Sequence, residues 1–332
     1  MQAAPSALRV PADSESSRKR KINDARERIN RYVPGQQAND DKLIACLHAF
    51  PDWLPEEGVD FVVHEVVKCG ENDNRLYQCF ADLLRSVLYI VKLANMRFSV
   101  AASPAELDET QYDESLFYEM CARRDGYCCV VTKQMDTGHW ESLNRPSDVV
   151  FGDLEVAHII AIPCASIVDD PSRHAGTVWE SLFRCFPSLR RTCTYEGRPN
   201  DPSNGIALRD SIHKQFRKFG CALEPTDTPY VYNFRTYKIY SPEQEAFLPP
   251  DRKVTMRADG VQGVPLPSRD LLACHWRVAE ILKASGMDEV VEQLILKWED
   301  MKDSSHGCLR EDGTSDVSEY VKAAFWERIA EC

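Results

Sequence analysis

No Cys-x-x-Cys pair occurs among the thirteen cysteines of this chain, and thirteen is an odd number. Neither a paired-thiolate zinc site nor a disulfide framework is supported, and reduced thiols are expected. A basic surface is also missing. Lys and Arg number 40 against 52 Asp and Glu, a formal net charge of −12, so contact with a polyanion needs a local patch. Residues 1–15 lack the apolar core of a secretory signal. The most apolar run, 83–96, is interrupted by Arg85 and Lys92 and is too short to span a bilayer. These absences predict an intracellular protein, in the nucleus or cytoplasm, without a membrane partner. No repeat of fixed period occurs. What remains is ordinary soluble composition, 43% apolar and 28% charged, in 332 residues that can bury a large core.

Four regions follow along the chain. Residues 1–39 are polar and expected to be disordered or partly helical. Their basic run, Arg18-Lys19-Arg20-Lys21, suits nuclear import or an electrostatic arm, or is simply a solvated tail. Residues 40–113 read as a helical region. Leu43, Ile44, Leu47 and Phe50 share one helix face, Pro51 and Pro55 should break it, and helices are expected over 59–69 and 74–96. A linker is expected over 99–113. Residues 114–245 begin with a helix ended by Gly126. The β-branched stretch 128–132 is expected to pair as a hairpin with 153–162, across a polar loop at 137–152. An insertion at 163–200 carries one helix near 178–186. Short strands are expected near 230–234 and 237–240. Residues 246–332 read as helical, over 268–284, 290–300 and 318–331, with a linker at 304–315.

Two stretches in the third region carry chemistry. Leu154-Glu155-Val156-Ala157-His158 is strand-like and ends in a histidine, and Asn204 stands nine residues before His213. A histidine after a strand, then an asparagine, then a second histidine, resembles the His-Asn-His (HNH, ββα-metal) endonucleases. Arg124-Asp125-Gly126-Tyr127-Cys128 and the tail Leu271-Leu272-Ala273-Cys274-His275-Trp276 resemble one subfamily of these, common in fungal proteins. The likeness spans roughly residues 115–300. It implies an α+β fold: a ββα-metal core with a long insertion, flanked by helical N- and C-terminal regions. It implies a metal-dependent endonuclease acting on DNA, using magnesium or manganese, with zinc as an alternative.

Carried onto this chain, the resemblance makes His158 the general base, Asn204 the residue that orients the strands, and His213 a metal ligand. Asn204 suits its role because an amide both donates and accepts hydrogen bonds. On a helix of 3.6 residues per turn, positions 204 and 213 would face opposite ways, so Asn204 is expected in a loop before the helix, with Ser203 as its cap. Ile206, Leu208, Ile212 and Phe216 form the accompanying apolar stripe. One position departs from the family. Many relatives carry Asp or His directly before the base as a second ligand, and here Ala157 stands there. Glu155, on the same strand face about 6.6 Å away at roughly 3.3 Å per residue, is the expected substitute; otherwise it pairs with a nearby arginine and the ion is held by His213, water and phosphate alone. The basic residues Arg190, Arg191, Lys214, Arg217 and Lys218 belong to a locally basic stretch and are expected to bind phosphates. Two other readings stand beside this one. A silent HNH scaffold would bind nucleic acid or regulate without cleaving, and a repurposed scaffold would act on a small molecule.

Overall fold

Strand-like and helical patterns alternate in this sequence, and the structure, a computed structural model, is accordingly a mixed α+β fold. It describes residues 12–97, 109–161, 175–190, 200–238, 240–258, 261 and 263–303. Residues 99–108 of the linker expected over 99–113, the linker at 304–315, the closing helix at 318–331, Arg191 and much of the insertion lie outside the described residues, while residues 109–113, expected as linker, are helical. One hydrophobic core runs from Ala25 in the N-terminal region to Ile295 in the C-terminal region.

Of the two states expected for the N-terminal tail, residues 12–30 take the helical one, as α1 (Ala12–Asn30). Its cations meet acids on the next three helices, α2 (Leu43–Trp53), α3 (Glu56–Lys68) and α4 (Asp73–Leu83). Arg18 bonds Asp60 at 2.7 Å, Arg26 bonds Asp52 at 2.6 Å, and buried Arg28 bonds Asp73 at 2.7 Å. Arg18, part of the basic run, is thus engaged within the fold. Pro51 does not break α2. It lies in the last turn, where its missing N–H costs one hydrogen bond, and the helix runs on to Trp53. A π-helical stretch at Leu84–Tyr89 leads into α5 (Ile90–Arg97).

α6 (Glu109–Arg124) ends at Gly126, whose φ of +65° is the left-handed turn expected there. The hairpin predicted from 128–132 and 153–162 does not form. Cys129 N–H bonds Gln134 O at 2.9 Å and Lys133 takes a φ of +61°, so Val130, Val131 and Thr132 make a turn with both valines buried. The β-branched residues signal burial here rather than a strand. The polar loop after it holds β1 (Met135–Asp136), α7 (Thr137–Ser142) and β2 (Phe151–Gly152), with β1 and β2 parallel.

β3 (Leu154–His158) finds its partner beyond the insertion and its helix α8 (Ala175–Cys185): it pairs antiparallel with β4 (Gly205–Arg209), from Leu154 opposite Arg209 to His158 opposite Gly205. β4 then runs directly into α9 (Asp210–Arg217), which packs on both strands. A three-stranded antiparallel sheet follows, β5 (Cys221–Pro225), β6 (Val231–Thr236) and β7 (Lys253–Thr255), with the short α10 (Pro242–Ala246) between the last two. Among the described residues of the strand expected at 237–240, none is in a strand; Tyr237 and Lys238 N–H instead bond Gly220 O. α11 (Arg269–Ser285) lies on β5 and on α2, is capped by Gly286, and leads into α12 (Met287–Asp303). Lys92 of α5, fully buried, bonds Asp288 of α12 at 2.5 Å and so ties the two ends of the fold together.

Candidate active site

β3, β4 and α9 bring His158, Asn204 and His213 into one unit. The asparagine is not in a loop before the helix, as its spacing suggested. It closes a 3-10 turn, Pro202–Asn204, and the whole of β4 separates it from α9. The apolar stripe is accordingly two patterns: Ile206 and Leu208 alternate on a strand, while Ile212 and Phe216 lie four apart on a helix. Ser203 caps no helix; the Asp201 side chain instead accepts from Ser203 N–H at 2.8 Å.

Asn204 uses both ends of its amide on one residue of the facing chain. Oδ1 accepts from Ile160 N–H at 3.1 Å, and Nδ2 donates to Ile160 O at 3.0 Å. Its backbone O accepts from Ile159 N–H at 2.8 Å. The amide thereby continues the β3–β4 ladder past His158, where the strands would otherwise separate.

His158 is half-buried, its ring stacked on Phe117 of α6 with centroids 4.4 Å apart and planes at 10°. Its Nε2 bonds Asn200 Oδ1 at 2.9 Å. With Asn200 accepting, the imidazole proton sits on Nε2 and the basic lone pair on Nδ1. Burial lowers the pKa of His158, and the Asn200 hydrogen bond opposes that shift. The opposing residue has to be Gly205. A Cβ there would lie 2.3 Å from the Cys121 sulfur and 2.7 Å from the Phe117 ring.

His213 is buried, and its Nε2 has no hydrogen-bond partner among the described residues. Burial pushes its pKa down to about 4, aided by the positive charges of Arg217 and Lys214 and opposed by Asp210. The charge of His158 lowers it further, and α9 packs against β3, the strand that ends in His158. An unpartnered imidazole nitrogen inside a protein forfeits a hydrogen bond's worth of stability. A neutral imidazole with an open lone pair is also what a metal ligand has to be.

Because the folded chain binds this proton only near pH 4 and the unfolded chain near 6.5, His213 stabilises the fold above pH 6.5. That contribution is lost as pH falls from 6.5 towards 4. In metal-free buffer, His213→Ala should flatten the acid slope of unfolding free energy by up to one proton, about 1.4 kcal/mol per pH unit. Urea titrations at several pH values measure it, and an unchanged slope would mean that His213 is not held neutral.

The other expected site residues are dispersed. Glu155 is exposed, and its charge acts on the phenol of Tyr118, whose pKa is pushed up to about 12 by burial first, then by Asp136 and Glu155. Among the described residues, no three His, Cys, Asp or Glu side chains gather as a metal cage. The donor set fits a sparsely held ion with one imidazole. Magnesium accepts so few protein ligands because it keeps most of its waters.

The basic residues do not stand as a bare patch. Arg190 pairs with Glu180 and lies over the Phe183 ring at 5.5 Å. Lys214 bonds Asp210 at 2.9 Å, and Lys218 meets Glu292 of α12 at 3.3 Å. Arg217 donates from Nε to Asn95 O at 3.1 Å.

Three supports of the site were not foreseen as such. Arg124, with no exposed surface, holds Asp125 through Nε at 2.7 Å and Nη2 at 2.8 Å, and donates to the carbonyls of Pro202, Gly205 and Pro265. Asp125 in turn accepts from Ala207 N–H at 3.1 Å. This pair grips both sides of Asn204; the sequence marked it only through the resemblance of the Arg124 to Cys128 stretch, without its role. Asn200 gave no signal beyond that of a turn residue. His275 of α11, stacked 3.8 Å from Phe216 and 4.4 Å from Phe219, donates from Nε2 to Phe216 O at 2.9 Å and secures the end of α9.

Residues 129–224 match the family model HNH_2, described as HNH endonuclease. No curated protein and no solved structure matches the chain. The matched segment contains β3, β4 and α9 with His158, Asn204 and His213; Asn95, Phe117, Arg124 and Asp125 lie outside it.

Proposed function

We propose that β3, β4 and α9 form a ββα-metal nuclease site that hydrolyses phosphodiester bonds in DNA with a divalent ion. The observation that carries this reading is buried His213, whose Nε2 has no hydrogen-bond partner among the described residues, on a helix packed against the strand that ends in His158. The family match over residues 129–224 supports a nuclease-type function for the same segment.

His158 is neutral at pH 7, because burial lowers its pKa, and its lone pair on Nδ1 takes the proton from the attacking water. The imidazolium that results is relieved by Asn200 Oδ1 at Nε2 and by the face of Phe117. Asn204 fixes the peptide that follows His158, which keeps the ring aimed along the strand end. His213 would hold such an ion through Nε2, and the ion would supply charge relief at the scissile phosphate and the leaving 3′-oxygen. Exposed Lys214 and Lys218 on and after α9 are proposed to meet phosphates, exchanging their present carboxylate partners for them.

Ala157 favours a second reading, a scaffold that binds DNA without cutting it, because the usual second ligand position carries a buried methyl group. The two part on supercoiled plasmid. The nuclease reading expects nicked circles with magnesium or manganese and none with EDTA. Salt-sensitive DNA binding with no nicking under any divalent ion would favour the silent scaffold.

A further inference from the structure

We propose that Asn95 of α5, far from the matched segment in sequence, is a positioning residue for His158, and that the helical N-terminal region is thereby a working part of the site. The stretch after His158 leaves the β3–β4 ladder and would have to expose or orphan its peptide groups. Two asparagines prevent this. Asn204 takes both groups of Ile160, and Asn95 takes the peptide groups on either side: Nδ2 donates to Ile159 O at 3.0 Å, and Oδ1 accepts from Ala161 N–H at 2.9 Å. With Asn204 O accepting from Ile159 N–H, the N–H groups of residues 159–161 and the carbonyls of 159 and 160 are all bonded.

Asn95 is 2% exposed, so its amide has no water to turn to and is committed to these two bonds. Its own carbonyl accepts from Arg217 Nε at 3.1 Å, on the helix that carries His213. One residue therefore bears on both histidines: by its side chain on the strand of His158, and by its backbone on α9. Neither Asn95 nor α5 belongs to residues 129–224. The geometric claim stands without the nuclease reading; only its kinetic consequence rests on it.

The test uses the full chain with Asn95→Ala, and Asn95→Asp as a variant that keeps the shape and the acceptor for Ala161 N–H but loses the donor to Ile159 O. Two readouts are taken. The first is the NMR position of the His158 ring protons, which face-to-face stacking on Phe117 displaces; the His275 ring, stacked between Phe216 and Phe219, is the internal control. The second is kcat and KM for nicking. In Asn95→Ala the His158 signals should move towards those of an unstacked histidine while those of His275 stay. The kcat should fall about 10²-fold, as a reacting group displaced by about 1 Å does, with KM little changed. Asn95→Asp, which sets a buried carboxylate against Ile159 O, should move both readouts at least as far, whereas Asn95→Ser, which keeps a hydroxyl in place of the amide, should move them less and carries the test if the others do not fold. Wild-type His158 signals and wild-type kcat in a folded variant would overturn the proposal. Displaced His158 signals in a chain that never nicks would uphold Asn95 as the clamp and remove the nuclease reading alone.

Discussion

His158→Ala is expected to lower the nicking rate by about 10²–10⁴, the range a general base contributes. Stability should fall by only about 1 kcal/mol, since one hydrogen bond and one ring stack are lost from a half-buried side chain. Divalent-ion binding should not change, because the base is not the ligand. The same assignment fixes the acid limb of the wild-type rate profile. Protonated His158 cannot accept a proton from water, and burial depresses its pKa, so the limb should lie below the ordinary histidine value of about 6.5. His213 titrates near 4. An acid limb at or above about 6.5 would assign the titrating group elsewhere.

Arg124→Met should be the most destabilising single change near the site, by about 3–5 kcal/mol, the cost of removing one partner from a buried ion pair. The methionine fills a similar volume but leaves the Asp125 carboxylate buried at 2% side-chain exposure without its counter-charge. It also leaves the carbonyls of Pro202, Gly205 and Pro265 without this donor. Adding Asp125→Leu removes the stranded charge and should recover part of the loss. Full recovery is not expected, because Ala207 N–H then loses its acceptor as well. Urea midpoints of the wild type and the two variants decide it. A single variant within about 1 kcal/mol of wild type would mean that the clasp is not what holds the Asn204 turn.

The residues of the proposed reaction could be read from the sequence, and the way they are held could not. A strand ending in His158 and an amide at Asn204 are local signals, and β3 forms where the alternation placed it. Its partner was misplaced because Val130 and Val131 are buried in a turn, and a single chain does not say whether β-branched residues are buried flat or folded over. The Ile206 to Phe216 stripe misled for a related reason: a strand and a helix in series mimic one helical face when only apolar residues are counted. Asn95 had no local signal at all. Its partners are 64 and 66 residues away, on a segment recognisable only after folding. Counting cations does not show their partners either: Lys218 is answered by Glu292 and Arg217 by a carbonyl, both remote in sequence.

The measurement that bears most directly on the site is nicking of supercoiled plasmid by wild-type and His158→Ala chains purified side by side, each with manganese and with EDTA. Nicked circles are predicted from the wild type with manganese alone, and a slower reaction by about 10² or more from the variant. Equal nicking by the two chains, or nicking that survives EDTA, would contradict a metal-dependent hydrolysis driven by His158.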